Sequence, residues 1–291
     1  MLRLTSLSLC FFLSLQLSAQ TDGGNTGGGQ TLEPEFRDSP YQRIHGENRR
    51  VVPYPHLREA DVTKQWRVWR EIDLREKMNQ VYYYPLSPTN QRKNFITIVR
   101  DAVLTNESMT PFDAASDDFI AEITTSDVAS MGAYRDTQMI PDPEPPYELK
   151  PKVIDEPFRP ETVKKIWLKE DWFFDRQRSV MESRILGICP VMQVFDRTTG
   201  EFRYNKPMFW VYFPQARNTF AQEEVYNTNN FGQRLTYDDV FMKRIFASKI
   251  RKIDNVHDRR IEDYLKGVHA LLRGEEIKDE LFTFEHDMWE Q

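Results

Sequence analysis

Few residues in this chain stand in patterns that could do bond-making chemistry. Its histidines are His45, His56, His257, His269 and His286, and no two share a metal-site spacing or stand beside a cysteine, so neither a metal centre nor a cofactor is predicted. Cys189 lies between Ile188 and Pro190 in an apolar stretch, which predicts a buried thiol rather than a nucleophile. There is no Gly-x-Ser-x-Gly elbow, and neither type of phosphate-cradling glycine loop occurs. His257-Asp258-Arg259-Arg260 superficially resembles a kinase catalytic loop but lacks everything around it, and reads as a turn with a helix cap. Asp117-Asp118, Glu170-Asp171 and Asp238-Asp239 are carboxylate pairs of the kind that serve hydrolysis, although solvated turns and caps account for them more simply. The tryptophans remain. Trp66, Trp69, Trp167, Trp172 and Trp210 suit a core, yet tryptophan, tyrosine and arginine also dominate protein interfaces. The run from Ile166 to Asp175 is too aromatic for a strand with one buried face, so Trp167 and Trp172 are predicted to belong in part to a partner-binding surface.

The elements that must carry these residues begin after an export signal. Arg3, the apolar run Leu4 to Leu17 and the small residue Ala19 predict a signal peptide over residues 1–19, and the run is too short to span a membrane. Cys10 follows Leu9 inside the run, which is no lipobox. A glycine-rich leader and an extended arm follow over 20–60, with Phe36, Tyr41 and Ile44 as candidate partner anchors. Residues 61–138 are expected to be a helical region. Val62, Trp66, Trp69 and Ile72 suggest a helix over 61–79 capped by Asp61, and Phe95, Ile96, Val99 and Val103 suggest a second. Seven prolines between Met139 and Pro160 predict an extended linker and domain boundary. Residues 161–291 then read as an α+β domain. Strands are expected at Val163–Phe174 and Val180–Gln193, and a hairpin turns at 196–200. Helices are expected from Ala216 to Tyr226, from the Thr236 capping box to about Ala247, from Asp258 to a stop at Gly274, and from Glu275 to the end, with a strand at Ser248–Ile253.

The composition agrees with a folded, non-nucleic-acid-binding protein. It is 40% hydrophobic and 13% aromatic, enough for a core, and its net charge of −6 gives no basic footprint. The fold class expected is α+β, a mostly antiparallel sheet flanked by helices with a smaller helical N-terminal region.

Four blocks, in order and spacing, resemble the GldN/PorN family of gliding-motility and type IX secretion proteins. They are Val68-Trp69-Arg70-Glu71-Ile72-Asp73-Leu74-Arg75-Glu76-Lys77-Met78-Asn79 with Tyr83-Tyr84-Pro85, Ile166 through Asp175 running on to Ile188, Phe209-Trp210-Val211-Tyr212-Phe213-Pro214-Gln215-Ala216-Arg217, and Tyr237-Asp238-Asp239-Val240-Phe241 with Arg244 and Phe246. The resemblance implies a structural, non-enzymatic periplasmic protein at the inner face of the outer membrane. It implies a ring-like complex with a GldK/PorK-like lipoprotein, self-association within that ring, and contact with a GldM/PorM-like inner-membrane-anchored protein. A periplasmic hydrolase using a carboxylate pair and a glycan-binding envelope module are the alternatives.

Overall fold

The computed structural model describes residues 49–288 apart from 90–91, 106–107, 142–148, 197–198, 228–229 and 231, and only the backbone of 135–155. These residues lie within one compact unit, Arg43–Gln291. In chain order they form β1 (Val62–Asp73), α1 (Gln80–Tyr83), α2 (Phe95–Leu104), β2 (Pro111–Asp113), α3 (Thr125–Ser130), β3 (Tyr134–Pro141), β4 (Leu149–Glu156), β5 (Val163–Asp175) and β6 (Val180–Phe195). Then come β7 (Phe202–Pro207), β8 (Phe209–Tyr212), α4 (Phe213–Gln222), β9 (Glu224–Val225), β10 (Leu235–Thr236), α5 (Tyr237–Met242), β11 (Lys249–Ile253), α6 (Ile261–Tyr264) and α7 (Val268–Asp287). The α+β class is as expected. A seven-stranded antiparallel sheet runs β11-β1-β5-β6-β8-β2, with β7 paired to the far end of β6.

Residues 61–79 correct the helix expected there. Trp66↔Trp172, Val68↔Glu170, Arg70↔Leu168 and Ile72↔Ile166 pair β1 with β5 along almost its whole length. The apolar residues Trp66, Val68 and Ile72 share a face at a period of two, and a helical reading had joined Trp66 to Trp69 across opposite faces. Asp61 ends a short 3-10 turn and caps nothing. Because β1 lies between β5 and β11, the segment 61–138 shares one sheet with 161–291, and the boundary expected at 139–160 separates no units. That segment is instead a hairpin: Met139 stands opposite Pro151 and Tyr134 opposite Glu156. Pro143, Pro145 and Pro146 lie outside the described residues.

Helices cover one sheet face. Ile72, Ile166, Leu168 and Ile188 meet α2, α4 and α5 around Tyr82, Phe95, Phe213, Phe220, Tyr237 and Phe241. Phe241 is the hub, with ring centroids 5.3–6.1 Å from Tyr82, Phe95, Phe213, Phe220 and Phe246. The capping box expected at Thr236 is present with Asp239, but α5 ends at Met242 rather than near Ala247. A second cluster, Val68, Ile250, Ile261, Ile277 and Leu281, seats α6 and α7 on the same face.

Gly274 does not stop a helix. It sits inside α7, where a Cβ would come 3.1 Å from the Ile250 carbonyl oxygen, so its missing side chain lets α7 approach the backbone of the edge strand β11. The two helices expected over 258–291 are α6 and α7, which divide at 265–267 rather than at Gly274, and the first starts after Arg260 rather than at Asp258. Similarly, α4 begins at Phe213 and ends at Gln222, before the short strand at Val225.

Truncating the hub, Phe241→Ala, is expected to cost about 3–5 kcal/mol of unfolding free energy, measured by denaturant titration. Cys189 is fully buried, and burial pushes its thiol up, so it stays protonated at neutral pH. A thiol reagent should leave it unlabelled in the folded protein and label it fully after denaturation.

Candidate interaction surfaces

Strand β5 directs its two predicted partner-binding tryptophans to opposite faces, because 167 and 172 differ by an odd number along a strand. Trp172 faces the helices. Its indole nitrogen donates to Glu170 at 3.1 Å, and the guanidiniums of Arg70 and Arg244 lie 5.4 and 5.0 Å from its ring centre. Glu170 is fully buried, at 0% exposure, and also accepts from Arg70 Nε at 3.0 Å and from Arg244 Nη2 at 3.0 and 3.1 Å. Burial pushes the Arg70 guanidinium below its ordinary range, against the opposing pull of Glu170.

Arg244 reaches this position through the C-terminus of α5. It has a φ of 54°, the left-handed conformation usually left to glycine, while the amide of Ile245 bonds back to Val240. An arginine there places its guanidinium on Glu170, with Ser183 Oγ accepting its other arm at 3.0 Å. Asn79 holds the segment that follows: its amide donates to Asp73 and Ala247 carbonyls at 2.8 and 2.9 Å and accepts from the Ala247 amide at 2.9 Å. The result is a cleft of about 780 Å³ between this segment and α7, with Arg70, Trp172 and Arg244 in its lining and Phe246, Leu281 and Phe282 in its walls.

The other face carries Trp69 and Trp167 among cations. The Trp167 indole donates to Glu71 at 3.1 Å, and Lys165 pairs with the same carboxylate at 2.7 Å. The Arg251 guanidinium lies on the Trp167 ring at 3.7 Å, with Arg260 at 5.9 Å. Lys252 lies 4.1 Å over Trp69, whose indole donates to Asp117. Arg251 occupies a bulge, for Trp69 pairs with Lys252 and Arg70 with Ile250, leaving 251 as the extra residue. Sequence reasoning missed Arg70, Arg244, Arg251 and Arg260. Once 62–73 is read as a strand, Arg70 stands out as a charge on an apolar face, whereas a bulge and a left-handed cap leave no pattern to find.

The carboxylate pairs are held in structural bonds. Asp171 is gripped by both arms of Arg67 at 2.7 and 2.9 Å, and Asp238 by Arg217 at 2.9 and 3.2 Å. Asp239 closes the α5 cap and pairs with Arg49, and Asp118 accepts from Ser116. Phe36, Tyr41 and Ile44 lie outside the described residues. The end of the arm packs on its own domain: Arg184 donates to the Pro55 carbonyl at 2.9 Å, and the Tyr54 ring lies 4.5 Å from the Arg217 guanidinium.

Removing the carboxylate from the cluster, Glu170→Ala, leaves two guanidiniums without their counter-ion. It is expected to cost about 3–5 kcal/mol in denaturant unfolding. Replacing the set together, Arg70→Met, Glu170→Leu and Arg244→Met, should recover most of that loss.

Comparison with the curated proteins gave no significant match. A family model described as "Gliding motility associated protein GldN" matches residues 57–290, from just before β1 to beyond the end of α7. It therefore takes in the whole sheet, both β5 tryptophans and the arginines around them, and the chain belongs to the GldN family, components of the gliding-motility machinery.

Proposed function

We propose that this protein is a periplasmic structural component of the type IX secretion and gliding machinery, placed at the inner face of the outer membrane. The family match over 57–290 carries the reading. In it, the chain joins a GldK/PorK-like lipoprotein in a ring-like complex, touches further copies of itself there, and meets a GldM/PorM-like protein anchored in the inner membrane. The export signal read from Leu4 to Ala19 supports the compartment. Among the described residues no helix is long and apolar enough to cross a membrane, in keeping with a protein tethered by partners. The engagement of Asp171, Asp238 and Asp239 in ion pairs and a helix cap favours a binding role over hydrolysis. Trp167 and Trp172, set among arginines, have the composition of interface hot spots. Phe36, Tyr41 and Ile44 are proposed as further anchors on a partner.

Purification of the tagged protein from solubilised outer membrane should bring down one lipoprotein in stoichiometric amount, and recovery of the chain alone would count against the reading. Deleting residues 31–48 should leave the unfolding transition in place, since the bonds at Arg49, Tyr54 and Pro55 are retained, while lowering the recovered lipoprotein. Recovery at the full-length ratio would exclude the anchors.

A further inference from the structure

The bulge that carries Arg251 leaves a buried donor unanswered. Arg251 Nε is buried and has no hydrogen-bond partner, which is uncommon for an ionised donor. Arg260 stands close enough that, after burial itself, it is the largest influence holding the Arg251 guanidinium below its ordinary range. Neither arginine has a carboxylate within ion-pair distance among the described residues. Glu71 exerts the strongest opposing pull on Arg251, and it is already shared by Lys165 and the Trp167 indole. Asp263 is turned to the Arg260 backbone amide at 2.8 Å as part of a cap, and it and Glu262 pull on Arg251 without forming an ion pair with it. Two guanidiniums therefore flank one indole, in a chain whose net charge is −6 and which has carboxylates to spare.

Stability alone does not account for this arrangement. The ring contact favours Arg251, but a buried donor without an acceptor and a neighbouring like charge both oppose it. We infer that Arg251, Arg260 and Trp167 form a receiving site for a carboxylate side chain on an acidic segment of a partner protein, an inference that rests on the reading of this chain as a binding component. A carboxylate supplies the planar two-oxygen acceptor that a guanidinium fork matches, and the indole beneath supplies the apolar floor that strengthens such a bond. Trp69 and Lys252 extend the surface along the same sheet face. Lipid phosphate shares the charge, but Arg251 is half-buried with its guanidinium 3.7 Å from the Trp167 ring centre, which favours a narrow carboxylate side chain over a lipid headgroup.

The test uses the full-length mature chain and a blocked hexaglutamate peptide, followed by calorimetric titration at low salt. Saturable binding is expected, weakened roughly tenfold or more in Arg251→Gln and in Arg260→Gln. The Arg251→Gln protein should melt at the same temperature as the parent or higher, which a purely structural Arg251 would not allow. Blocked hexaglutamine should not bind. The inference is overturned by absent hexaglutamate binding, by parental affinity in both variants, or by equal binding of hexaglutamine. It is also overturned if phosphatidylglycerol vesicles bind through these arginines and hexaglutamate fails to displace them. If Arg251→Gln does not fold, Arg260→Gln decides alone. Stoichiometric recovery of the lipoprotein by a chain that ignores hexaglutamate would sink this site and leave the proposed function standing.

Discussion

A carboxylate buried in the middle of a sheet is the constraint around which this fold is arranged. Glu170 lies on β5, which has a paired strand on either side, so its charge must be met by side chains rather than by water. Three elements answer it: Arg70 from β1, Trp172 from β5 itself, and Arg244 from the end of α5. Meeting that charge ties the aromatic helical core to the sheet at the point where the chain leaves α5 for β11. The left-handed backbone of Arg244 makes sense only in this light, since glycine would fit the turn with less strain but could not reach Glu170. Asn79 fixes the next residues, and β11 and α7 follow from there.

The sheet separates two kinds of surface. On the helical face, apolar packing and the Glu170 cluster leave a cleft along α7. On the opposite face, Trp69 and Trp167 lie under lysine and arginine side chains, and Phe119 closes part of the surface by packing against Gly187, where a Cβ would come 2.5 Å from its ring. A run as aromatic as 166–175 is explained by a strand that must serve both faces at once. Its charged residues are each answered, Lys169 by the Asp117 carbonyl, Asp171 by Arg67, Asp175 by Arg178, and Glu170 by two arginines. Charges held this way suit a rigid recognition surface better than acid–base chemistry, which needs a group free to exchange its proton.

Much of this was legible in the residues. The strands β5 and β6, the hairpin into β7, the α5 capping box and the buried Cys189 all follow from local pattern. The misreadings have a common physical origin in long-range pairing. The strand at 62–73 alternates faithfully, but Arg70 interrupts its apolar face for the sake of a carboxylate a hundred residues away, and Trp69 on the far face supplied a false helical step. The prolines of 139–160 suggested a linker because proline cannot donate, yet hairpin strands with free outer edges tolerate it, as Pro151 opposite Met139 shows. Gly274 looked like punctuation because a glycine needed for close approach to another strand is indistinguishable, locally, from one needed to end a helix. The arginine sites depend on a bulge and a cap, and such backbone irregularities have no period.

On the function proposed above, this member of the GldN family presents the two faces around β5 to other proteins of the machinery. Hydrogen exchange on the chain alone and in complex with the lipoprotein recovered with it tests this most directly. Added protection is expected on binding at 65–71, 163–173 or 249–265, with the unfolding-limited amides of α2 and α5 unchanged. Unchanged exchange at all of those segments in a stoichiometric complex, with new protection only elsewhere, would contradict it.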